Sequence, residues 1–179
     1  MQLTAITAMV LAVGAGLQGQ VTVCTDSTPN MVRYQAQSLA SKILAGAGVE
    51  VQWHRGANNC PPQGIVITLQ LSTPINFMPG ALAYAKPYEG THICIFYDRI
   101  AEVPTASLRP ILLAHVMAHE VGHILEGVSR HSDTGIMKAH WNQDDFSQMS
   151  RKPMVFESID RELMLRGAAV RMASNARVE

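Results

Sequence analysis

The chain has 179 residues, enough for one domain with a sizeable core. Hydrophobic residues make up 47% of it and charged ones 16%, which excludes an intrinsically disordered chain. The formal net charge is +0, so no basic or acidic excess points to nucleic acid or an anionic membrane surface as a partner.

The first charged side chain is Asp26. Before it, Leu3 to Leu17 is apolar but too short for a membrane span. It has the character of the apolar part of a secretory signal, with small-residue cleavage sites at Val13-Gly14-Ala15 or Leu17-Gln18-Gly19, although no Lys or Arg opens it. The competing reading is a buried N-terminal helix. Residues 1–19 are therefore expected to be a signal peptide, and the mature protein to be secreted or periplasmic. Export would permit a disulfide among Cys24, Cys60 and Cys94, with Cys60–Cys94 the first expectation and one thiol left over.

Val21 to Cys24 alternates and is β-branched, so it reads as a strand. Asp26-Ser27-Thr28-Pro29 offers a helix start, and Val32, Ala36, Leu39, Ala40, Ile43 and Leu44 then recur at helical spacing until Gly46 and Gly48. Val49 to Trp53 is a second strand. Gly56 to Pro62 is a loop, and Ile65 to Leu71 is apolar enough for a central strand. Ala81 to Ala85 is a weaker strand, ended by Lys86-Pro87 and suited to an edge. His92 to Tyr97 is another strand. A helix then runs from Pro104 or Pro110 to Gly127, a left-handed cap. The chain is loop-like to about Asn142, and Gln143 to Ala173 is helical with a break near Pro153. The order strand, helix, four strands, helix predicts an α/β (α+β) sandwich with that helix under the sheet.

The helix carries His119-Glu120-Val121-Gly122-His123, an H-E-x-x-H pattern. Residues four apart share a face, so the two imidazoles can grip one zinc ion, with Glu120 where a general base would act. The competing reading is a buried helix with satisfied histidines. A catalytic zinc takes three protein ligands and a water, and four residues are candidates for the third. His131 lies past Gly127, where the chain can turn back, and Asp133 follows it. Glu157 lies near the start of the last helix. His115 is weakest, because three histidines at four-residue steps span about 12 Å of helix, so a core or supporting role suits it better. His140 reads as a loop histidine.

The stretch from His119 to Met137 resembles the metzincin clan of zinc peptidases, whose pattern is H-E-x-x-H-x-x-G-x-x-H followed by a methionine turn. Here Gly127 comes one residue late and His131 two residues late, while Gly135-Ile136-Met137 is similar to the methionine turn. The rest of the chain resembles small bacterial exported metzincin-like proteins in Val51-Gln52-Trp53 with a nearby Cys, in Phe96-Tyr97-Asp98-Arg99 and in Trp141 after the turn. The resemblance implies a twisted mixed sheet of four to five strands, an active-site helix and a C-terminal helix, in one catalytic domain over 20–179. It implies Zn²⁺ on His119, His123 and His131, with Met137 as an apolar floor and Glu120 as general base in peptide-bond hydrolysis. Its partner would be a peptide or protein substrate, bound along the Ala81 to Ala85 edge, and the chain is expected to be a monomer. Tyr84 and Tyr88 are expected to pack rather than to orient substrate, and Trp141 stands where some clan members carry a Tyr. Two other readings remain: a zincin with Glu157 as third ligand and Asp160 supporting a histidine, and a secreted, non-catalytic metal-binding or interaction module.

Overall fold

The computed structural model describes residues 19–25 and 31–175. The apolar stretch before Gly19 lies outside them. Among the described residues no helix is long and apolar enough to cross a membrane.

Five strands form one sheet: β1 (Gly19–Thr25), β2 (Val49–Arg55), β3 (Ile65–Gln70), β4 (Ala83–Ala85) and β5 (His92–Phe96). Their spatial order is β2-β1-β3-β5-β4. The first four run parallel, and β4 pairs antiparallel with β5 at the edge, Tyr84 opposite Cys94. Alternation sorts the side chains by face. Val21, Val23, Ile65, Ile67, Ile93 and Ile95 are buried together in the core. The opposite face carries Thr22, Thr68 and Gln70, with Phe77 packed edge-on to Phe96 and stacked on Tyr84.

Helix α1 (Met31–Gly46) follows β1 and α2 (Tyr97–Ala101) follows β5. Tyr97 therefore opens a helical turn instead of ending a strand. Asp98 holds that turn in place by accepting hydrogen bonds from the Thr73 backbone and hydroxyl, each 2.8 Å. Helix α3 (Arg109–Glu126) has Pro110 in its first turn and Gly127 as its left-handed cap, φ 70°, with the Gly127 N–H on His123 O at 3.0 Å. Every residue from Leu112 to Leu125 is buried, and α1, the sheet and the C-terminal helices pack around the helix. Helix α4 (Gln143–Arg151) is opened by an Asn142–Asp145 capping box, and α5 (Ser158–Asn175) packs on α3 and on β1.

The expected Cys60–Cys94 pair does not form. Cys24 bonds to Cys60, with Cα atoms 5.8 Å apart, and Cys94 is free and buried. The reason is strand order. The turn after β2 returns Cys60 to neighbouring β1, whereas Cys94 sits in β5, two strands or roughly 9.6 Å from Cys24 and outside bridging range.

Candidate metal centre

The helical periodicity of α3 sets His119 and His123 on one face, one turn apart, both buried. Each ring is oriented through Nδ1: His119 lies 2.8 Å from the Ile136 carbonyl and His123 3.3 Å from the Val128 carbonyl. A carbonyl only accepts, so both Nδ1 atoms carry the proton and both Nε2 atoms present lone pairs. Those two lone pairs face each other at 3.0 Å. His131 arrives from the loop after Gly127, its ring 4.9 Å from that of His123 and 5.5 Å from that of His119. Ligand nitrogens of the three residues all lie within 4.8 Å of one another, and among the described residues no other group of this kind occurs.

Electrostatics favour neutral rings. Burial first, and then the charge of His131, lowers His119 to about 4. Burial, followed by the charges of His119 and His131, lowers His123 to about 3. His131 is also lowered, mainly by burial and then by His140 and Arg130. Neutral imidazoles with converging lone pairs and no proton between them form a donor set for a cation. Two nitrogens on a tetrahedral zinc with bonds of about 2.05 Å stand roughly 3.3 Å apart, close to the separation seen. The residues present fit the ion.

Glu120 sits between the two histidines and is 7% exposed. Burial pushes its carboxyl up to about 8, against a backbone hydrogen bond from Ala85 on β4. The loop beneath the rings closes through Ser132 N–H on Met137 O and Ile136 N–H on Val155 O, both 2.9 Å, with Gly135 at φ 72°. Met137 is fully buried against Gly122, where an added Cβ would stand 2.8 Å from the Met137 sulfur. Its side chain thus packs under the helix segment that carries His123.

A cleft of about 590 Å³ opens over these groups. The Ala81–Ala85 stretch forms one wall, α3 the floor, and the loop carrying His131, Lys138, His140 and Trp141 the other wall. Trp141 stands edge-on to His119, ring centres 5.5 Å apart. Lys138 is paired with Asp145 at 2.6 Å. His140, read from sequence as an ordinary loop histidine, is brought to the cleft wall; no motif marks it, and only the fold of the methionine turn delivers it there.

The other candidates fall outside the group. His115 is fully buried, with Nδ1 donating to Ile111 O at 2.7 Å and Nε2 accepting from Met154 N–H at 3.1 Å, so it ties α3 to the segment before α5. Asp133 is exposed. The Glu157 carboxylate accepts from Thr134 and does not join the histidines. Tyr88 is exposed away from the cleft, and Tyr84 lines it while stacking on Phe77.

No family model and no curated protein matches the chain. Among solved structures it is similar to archaemetzincin from Methanopyrus kandleri, with a TM-score of 0.57 and 15% identity, over 88% of this chain and 99% of that one. At this identity the likeness is one of fold: the twisted five-stranded mixed sheet and its helices have an archaemetzincin-like arrangement.

Proposed function

We propose that the protein is a zinc-dependent peptidase. The observation that carries this reading is the convergence of three neutral imidazoles, His119, His123 and His131, beside a buried carboxyl in an open cleft. When bound, zinc supplies Lewis-acid polarisation of a carbonyl and makes water acidic near neutral pH.

Glu120 is the general base. It lies between the two metal-binding histidines of α3, and the Ala85 N–H fixes one side of its carboxylate toward β4. It accepts the proton of the attacking water and passes it to the leaving amine. Strand β4 is the sheet edge along the cleft, so its free backbone groups suit pairing with an extended peptide. Met137 and Phe156 keep water from the underside of α3. The Cys24–Cys60 bridge supports export to an oxidising compartment, secreted or periplasmic. The substrate is a peptide or protein, and the working unit is the monomer.

The test is zinc content together with cleavage of a peptide library. The unaltered protein should hold about one zinc per chain. His123→Ala should lose it. Glu120→Gln should keep zinc and lose about 10²–10⁴-fold in hydrolysis. Unchanged cleavage by Glu120→Gln would reject Glu120 as base. A zinc-loaded protein that cuts no peptide would leave the non-catalytic metal-binding module instead.

A further inference from the structure

The loop that brings His131 is two residues longer than the metzincin pattern, and His131 is the exposed member of the trio. His119 and His123 are each oriented by a carbonyl on Nδ1. Among the described residues, the His131 ring has no hydrogen-bonding partner of that kind. Its position has to be set through the backbone on either side.

Both neighbours of His131 end on one oxygen. Arg130 donates to Asp160 Oδ1 at 2.6 Å, and the Ser132 hydroxyl donates to the same Oδ1 at 2.7 Å. Arg130 also reaches the Ser132 hydroxyl at 3.0 Å and Glu126 Oε2 at 3.3 Å, which closes the cluster onto the end of α3. The other Asp160 oxygen accepts the Glu157 N–H at 2.9 Å, so the carboxylate is fixed in the first turn of α5. Asp160 is fully buried. Ser132 N–H continues the tie to Met137 O. A buried carboxylate on the last helix therefore holds the loop immediately before and immediately after the imidazole.

We propose that Asp160 is the positioning residue for the third metal-binding imidazole, clamping Arg130 and Ser132 so that His131 meets His119 and His123. The proposal rests on the three-histidine zinc reading. Holding a flexible ligand in place before the ion arrives lowers the entropy lost on binding, and outer groups that orient ligands typically contribute 10–100-fold to metal affinity.

The experiment is a double-mutant cycle on zinc affinity, measured on the full chain by chelator competition, with cobalt(II) absorption as a record of coordination. Asp160→Asn should weaken zinc binding about 10–100-fold and alter the cobalt spectrum toward that of His131→Ala. In the His131→Ala background the same change should have no effect on affinity, because the group it positions is gone. A role confined to stabilising α5 would instead lower the melting temperature and leave the affinity of folded protein alone. Equal weakening in both backgrounds, or none in either, overturns the proposal. If Asp160→Asn does not fold, Ser132→Ala decides by the same cycle: a smaller loss that vanishes without His131 supports the clamp, and no loss overturns it. Should His131→Ala bind zinc as tightly as the unaltered chain, the three-histidine reading itself fails, and that result is distinct from failure of the clamp.

Discussion

Gly167 lies on α5 where that helix crosses the end of α3. A Cβ there would stand 1.8 Å from the Leu125 carbonyl oxygen, 2.8 Å from its carbon and 3.2 Å from its Cα. All three are backbone atoms, so no rotamer change relieves the clash. The helices must separate by roughly 1.2 Å or more to restore even a tight contact, and shifts of that kind in packed interiors cost about 1–3 kcal/mol, occasionally more. Alanine's better helix propensity offsets about 1 kcal/mol. Gly167→Ala should therefore destabilise the chain by about 1 kcal/mol, a fall in melting temperature of roughly 2–4 °C for a domain of this size. Thermal and urea unfolding followed by circular dichroism measure it. A glycine with open space beside it would show the opposite sign, with alanine raising the melting temperature by a few degrees. A rise would refute the close helix crossing.

The Cys24–Cys60 bridge closes a sequence separation of 36, for which the chain-entropy argument gives about 4 kcal/mol. Reductant, or Cys60→Ser, should lower the melting temperature by roughly 8–16 °C; coincident melts with and without reductant would count against the bridge. Glu126 supplies a pH test. Its side chain has no exposed surface, one oxygen faces Arg130, and among the described residues the other has no hydrogen-bond partner. Burial raises its carboxyl to about 7 despite Arg130, above the 4.5 of an unfolded glutamate. Below pH 4.5 it is protonated in both states. Between pH 4.5 and 7 the unfolded glutamate ionises while the buried one stays protonated, so the folded state loses relative stability until both are ionised. Glu126→Gln should therefore gain on the unaltered chain as pH rises from 4.5 to about 7.5, read from urea midpoints. A stability gap that stays constant over that range would show that Glu126 titrates normally.

The parts of the fold that could be read from sequence were those where one local pattern decided the outcome. The β-branched run Ile65-Val66-Ile67 of β3 and the breaker-free run from Ile111 to Ala118 of α3 each decided their element type locally, and the i, i+4 spacing of His119 and His123 is fixed by helix geometry alone. What could not be read depended on contacts between distant segments. Cys94 was the expected partner of Cys60, but the strand order sets Cys60 beside Cys24 and places Cys94 two strand spacings away. Tyr97 has strand propensity, but Asp98 binding Thr73 turns the chain at that point into α2. Position past Gly127 made His131 one of four candidates and the resemblance singled it out, but the cluster of Arg130, Ser132 and Asp160 joins residues up to 30 apart with no motif to announce it. His140 reaches the cleft wall for the same non-local reason.

The placement of β1 between β2 and β3 bears on how the chain is born. It is the first described segment to be synthesised, yet both of its partners come later, and each joins it in parallel across a connecting segment. Until Ile65 to Gln70 has left the ribosome, Val21 and Val23 have no complete sheet to enter. Parallel, non-local pairing of this sort is slow and leaves apolar strands uncovered for a time. A nascent chain of this topology should therefore engage holding chaperones through its first half and become protease-resistant only late in synthesis.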